Sequence, residues 1–381
     1  KLRVRLNKST VGKAVQYYSQ RSHFIQRRKF LLTGTQGLQG FVLLGYIPDK
    51  TVDIQKFAVV IINTLTQLLH PAQTTIFMPE PVFNIKALLF GQSLPLHLVA
   101  AVDLSFLPVC AVLLAIPLIK TGQQRNLFFI PVLLLLSACN ALMYIGVAYH
   151  RYDLMQLGSQ NAIWLITLLM AIVGGRVLPM FTANGTQTKK VEAIVWLDRA
   201  ALASLWLIFV LHFFALTQYL PPLAMSSLFG LSALLLGLRC LRWKIWITLK
   251  VPLLWSLHVA YWCIPLGLAL YSARYAGVNI SNSIALHALT AGAMGSMILS
   301  MMARVSLGHS GRMLKPHAVM SLAFLLVLAA ALSRTLLIWL WPAQTMQWLW
   351  LGVGGWVLAY LLYVLVYFPV LTTPRPDGRP G

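Results

Sequence analysis

Residues 127–149 read LFFIPVLLLLSACNALMYIGVAY, an uncharged stretch bounded by Arg125 and Arg151. A helix rising about 1.5 Å per residue needs about 20 residues to cross a hydrocarbon core of about 30 Å, so this stretch is long enough to span a bilayer. Similar runs recur on both sides of it. Windows of about 19 residues place nine spans, at 96–118, 127–149, 160–182, 199–218, 221–239, 251–273, 280–303, 317–340 and 347–370. Two of them meet at Pro221 and Pro222, whose missing N–H donors suit a tight reversal between helices.

The rest of the composition agrees. Of 381 residues 59% are apolar and 10% are charged, which excludes an ordinary soluble enzyme. Thirty Lys and Arg against eight Asp and Glu give a net charge of +22, a balance that would suit a nucleic-acid binder if the cations formed one face. From residue 96 onward they form short clusters between apolar runs instead. The expected fold is therefore all-α, a polytopic transmembrane helical bundle of about nine spans, with membrane lipid as its surroundings and no nucleic acid as a partner. The four cysteines, Cys110, Cys139, Cys240 and Cys263, lie in or beside apolar runs with no C-x-x-C pair, and read as small core residues.

Short cytoplasmic loops carry an excess of Lys and Arg. Lys120 and Arg125 follow the first span, Lys189, Lys190 and Arg199 the third, and Arg239, Arg242, Lys244 and Lys250 the fifth. Arg304, Arg312 and Lys315 follow the seventh, and Arg375 and Arg379 the ninth. The intervening loops hold only Arg151, beside Asp153, and Arg274. This alternation predicts a cytoplasmic C-terminus, with the start of the first span, near His97, on the other side.

The first 95 residues conflict with that orientation, because they hold twelve of the 30 basic residues, including Arg27, Arg28 and Lys29. Candidates for a further span are poor: 57–69 is short, and 76–94 carries Pro79, Glu80, Pro81 and Lys86. The stretch LLTGTQGLQG (31–40) lacks the strand, helix and ribose-binding acid of a dinucleotide turn. The expected organisation is a basic, atypical and partly disordered segment over 1–95, a transmembrane domain over 96–370 and a cytoplasmic tail over 371–381.

Ionisable side chains inside spans cost a few kcal/mol each and usually face a bundle interior or a pathway. Here they are Asp103, Arg176, His212, His258, His287, Arg304 and Arg334, with His309 just beyond the seventh span. His258 lies about eight residues from the cytoplasmic end of its span and His287 about eight from the opposite end of the next, so their depths should differ by about 6 Å. Adjacent antiparallel helices would then present both imidazoles to one metal or haem. The competing reading is that each imidazole only hydrogen-bonds to a neighbouring helix. For His212, flanked by Leu211, Phe213 and Phe214, that reading is the stronger one.

The segment HALTAGAMGSMILSMMARVSLGHSGR (287–312) stacks Ala288, Gly292 and Ser296 at spacing four, which lets another helix approach closely. Its Met294, Met297, Met301 and Met302 read as packing more than as thioether ligands for copper. At its end Arg304, Ser306, His309, Ser310 and Arg312 form a cluster able to bind carboxylates, because Arg forks match them bidentately. The same residues also read as a cytoplasmic anchor with a glycine stop at the helix end. A second cluster, GGRVLPMFTANG (174–185), inserts Arg176 into an apolar stretch before Pro179, with Asp103 and Asp198 as the nearest acids by depth. No Ser-His-Asp order, phosphate loop or H-E-x-x-H motif appears, so hydrolytic and phosphoryl chemistry are excluded.

From about residue 95 onward the chain resembles the NnrS family of bacterial inner-membrane proteins. The resemblance rests on GGRVLPMFTANG, WLDR (196–199), PLLWSLHVAYWCIPLGL (252–268), the 286–312 segment and the tail PRPDGRPG (374–381). It implies a bundle of about a dozen spans, haem and copper as cofactors, nitric oxide as a ligand, and a part in the response to nitric oxide and nitrosative stress. It also assigns the family's polar positions to Arg176, Asp198, Arg199, His258, His287, Arg304, His309, Gly311 and Arg312. Metal ligation would fall to His258 and His287, and contacts to the cofactor's acid groups to Arg176, Arg304, His309 and Arg312. The family's opening spans, with their tryptophan, histidine and glutamate motif, have no counterpart around His23, His70 or His97. The expectation is an opening that has been replaced. A transporter without cofactor, or an inactive remnant of the family, are the alternative functions.

Overall fold

The structure is a computed structural model that describes residues 96–376. The atypical N-terminal segment expected over 1–95 lies outside the described residues. Among those described, the regular structure is entirely helical, and nine helices are long and apolar enough to cross a membrane. They are α1 (Leu96–Lys120), α2 (Phe129–Ala148), α3 (Tyr152–Thr186), α4 (Val195–Phe213), α5 (Pro222–Leu241), α6 (Pro252–Tyr275), α7 (Asn282–His309), α8 (Ala318–Leu340) and α9 (Thr345–Thr372). The number agrees with the spans read from hydropathy, and α3 differs most in length. It runs for 35 residues, because the more polar YDLMQLGS before its apolar window continues the helix without adding hydrophobicity.

Chain contacts divide the molecule into two compact units. In the first, residues 96–106 and 144–155, the Tyr144 hydroxyl donates to Asp103 Oδ2 at 3.1 Å and Arg151 pairs with Asp153 at 2.6 Å. The second, residues 107–143 and 156–376 among those described, carries the candidate site.

Within that second unit α6 and α7 are central. Buried residues make up 61% of the apolar window of each, against 17% for the last span. One buried cluster gathers Trp164, Ile208, Phe229, Tyr261 and Tyr271, with Phe229 stacked on Tyr271 at 5.1 Å. A second joins Leu253, Leu299, Phe324, Tyr363 and Tyr367 from α6, α7, α8 and α9. Leu223 and Leu365 are among the apolar side chains left exposed, an arrangement that costs nothing against lipid tails as apolar as leucine itself.

Small residues set the registers. Gly267 of α6 lies against Leu289 and Ala288 of α7, and Gly292 of α7 against Cys263, where an added Cβ would come within 3.1 Å of the cysteine Cβ. The reversal at Pro221 and Pro222 forms as expected, with a 3-10 turn over Leu216–Tyr219 and Pro222 at the first position of α5. Two features are not visible in hydropathy. Residues Ala288–Gly295 of α7 and Ser333–Leu337 of α8 are π-helical, a wider winding that recurs at functional sites.

Candidate functional site

His258 lies in α6 with 1% of its surface exposed, and Trp243 meets its ring edge-on at 6.3 Å. Its Nε2 stands 2.7 Å from the Thr182 hydroxyl of α3, while its Nδ1 is buried without a hydrogen-bond partner. Two tautomers satisfy the Thr182 contact. With the proton on Nε2, Thr182 accepts and Nδ1 presents a bare lone pair. With the proton on Nδ1, Thr182 donates and the Nδ1–H is left without an acceptor. The first arrangement is the one that leaves a neutral imidazole with a free lone pair, the form that ligates a metal.

One residue before Thr182, Phe181 carries the Arg304 guanidinium on its face, 3.7 Å from the ring centroid. Arg304 is half-buried, and Phe181 joins it to the same stretch of α3 that orients His258. The structure thus brings Arg304 and His258 to consecutive residues of α3.

It does not bring His287 to His258. The Gly292–Cys263 and Gly267–Leu289 contacts set His258 near the level of Met297 and His287 near the level of Leu268. About ten residues of helix, roughly 15 Å, separate the two histidines along the helix axes, against the 6 Å expected from span boundaries. Hydropathy gives the edges of an apolar window, whereas packed glycines fix the actual register. His287 has other partners: Nδ1 stands 2.6 Å from Ser283 O, and Arg334 Nη2 stands 2.7 Å from Nε2.

The remaining candidates are placed separately. Arg176 is exposed, with its guanidinium 5.1 Å from the centre of the Phe128 ring. Gly311, at φ 70°, stops α7, and Arg312 then donates to Val370 O at 3.0 Å and to Thr373 Oγ1 at 2.6 Å, capping the end of α9. His309 is exposed, and its carbonyl accepts from Arg375 at 3.0 Å. His212 packs against Trp164 and Phe229 with Nδ1 2.8 Å from Ile208 O of its own helix.

One heavily bonded polar group is a residue that the sequence places in a loop. Arg239 lies inside α5 at 5% exposure and donates through Nε to Asp198 Oδ1 at 2.6 Å. Its Nη1 donates to Ala171 O at 2.9 Å and to Tyr261 Oη at 3.1 Å. Gly175 makes room for it, since any Cβ there would overlap the guanidinium. Asp198, expected as a candidate partner for Arg176, is thereby committed to Arg239. The signal in the sequence was the glycine pair at 174–175 together with one acid, Asp198, able to offset a cation that the apolar run LLLGLRCL carries inside a span.

Among the described residues no three of His, Cys, Asp and Glu converge as a metal-binding group. What converges is one buried imidazole with an unpartnered nitrogen and an orienting hydroxyl, with a half-buried guanidinium against the preceding residue of α3, all inside a multi-pass helical membrane protein. That chain belongs to the NnrS family, whose family model, described as NnrS protein, matches residues 64–375. The match begins some thirty residues before the point, about residue 95, from which the resemblance is read, and residues 64–95 lie outside those the structure describes. No curated protein and no solved structure matches the chain.

Proposed function

We propose that this NnrS-family protein holds haem through His258 and acts in the response to nitric oxide and nitrosative stress. The observation that carries the reading is the buried, unpartnered Nδ1 of His258. A single imidazole is too few ligands for a protein-built metal site, but it suits a group that brings its own equatorial nitrogens. Haem in such a place supplies an iron that takes a small diatomic ligand. Thr182 holds the ring orientation, as a hydrogen bond to the other nitrogen does for ligating histidines. Trp243 and the surrounding core exclude water from the ring. Arg304 offers its fork to acid groups at the end of the helix.

Copper, which the family resemblance also implies, fits less well, since the described residues offer it no cluster of donors. The resemblance further supports an inner-membrane location, and the alternation of basic loops supports a cytoplasmic C-terminus.

Optical spectroscopy with iron and copper analysis of the detergent-purified protein tests this reading. The expected result is a Soret band with about one iron per chain, shifted on addition of nitric oxide. A folded product with neither band nor metal would overturn it and leave the transporter reading.

A further inference from the structure

At the opposite end of α7, His287, just before the π-helical segment of α7, meets Arg334 of the π-helical segment of α8. Because the Ser283 carbonyl can only accept, its 2.6 Å contact places the His287 proton on Nδ1. The Nε2 lone pair then receives Arg334 Nη2 at 2.7 Å. The imidazole is therefore neutral and orients Arg334 without balancing its charge.

Arg334 is half-buried and lies six residues inside the end of α8. Its stem is held against α9, where a Cβ on Gly352 would stand 3.1 Å from Cγ and 3.3 Å from Cδ of Arg334. No carboxylate is left for it among the described residues of its own unit. Asp198 pairs with Arg239, and Glu192 lies in the loop between α3 and α4, at the other end of the bundle. Four of the five N–H groups of a guanidinium form two parallel pairs, and the bond from Nη2 to His287 occupies one hydrogen, which leaves one pair intact. A charge held this way inside a span calls for a counter-ion, and a parallel N–H pair matches two oxygens of one planar group.

We propose that Arg334, oriented by His287, is the binding site for a small planar monoanion with two acceptor oxygens, the class to which formate belongs. The site is separate from His258 and does not depend on a cofactor there.

The test is thermal unfolding of the detergent-purified protein, followed by tryptophan fluorescence at constant ionic strength with bulky gluconate as the balancing anion. Titrating formate should raise the unfolding temperature saturably, as binding to the folded state alone requires. Arg334→Gln should abolish the rise. Arg334→Lys keeps the charge and serves if the glutamine variant does not fold, and it should weaken formate at least tenfold by losing the fork. Arg199→Gln, an exposed cation at the other end, should leave the titration unchanged. A wild-type protein without a saturable response would overturn the proposal, as would a response equal in Arg334→Gln or Arg334→Lys.

Discussion

Arg239 takes a full charge into the bundle, and its surroundings are built to receive it. Asp198 neutralises it, a carbonyl and a phenol accept its remaining bonds, and Gly175 gives it space. Breaking a buried pair costs about 3–5 kcal/mol because the other charge is left unpaired. Arg239→Ala should therefore destabilise the detergent-solubilised protein by about that much in an unfolding titration. The double variant Arg239→Met, Asp198→Leu should recover most of the loss, since removing both charges together strands neither. Gly175→Ala should resemble Arg239→Ala by displacing the guanidinium. At this scale the sequence was partly legible. The depth of His258 in an apolar run singled it out, whereas Arg239 read as a loop cation, because a hydropathy window ends wherever a charge appears even if the helix continues and a partner waits on another span.

At the scale of elements the central helix α7 owes its shape to small side chains. The run ALTAGAMG winds as a π-helix, and its last carbonyl, that of Gly295, is satisfied from outside by the Tyr360 hydroxyl at 3.0 Å. The neighbouring Trp356 ring fills the space a side chain at Gly295 would need. Tyr360→Phe should cost about 1 kcal/mol by removing that donor. Gly295→Ala should cost more, because a large aromatic ring of α9 must shift. Comparing the unfolding of the two variants with that of wild type checks both the size and the order. The small-residue spacing had marked α7 as a helix that others approach closely. The π winding was illegible, because its main packing is against α6 and α8 and it leaves no periodic trace in eight residues.

At the scale of the whole molecule, the count of spans followed from the length of apolar runs, and nine such helices stand among the described residues. Orientation is a separate question of charge. A fluorescent protein fused after the last helix should glow, and alkaline phosphatase at the same point should be inactive, if the C-terminus is cytoplasmic. The reverse pair of results would invert the bundle. The relation between the two histidines was the least legible feature of all, because it rests on the register between α6 and α7. Where the sequence suggested one shared centre, the glycine contacts set the two imidazoles at different depths, with His258 bonded to Thr182 and His287 to Arg334.

The most direct test of the function proposed for His258 compares the absorption spectra and iron contents of His258→Ala and His287→Ala with those of the wild-type protein, at matched expression and folding. The account predicts that His258→Ala loses the haem band and its iron, while His287→Ala keeps both. Retention of the band in His258→Ala, or its loss in His287→Ala alone, would contradict the assignment of the cofactor to His258.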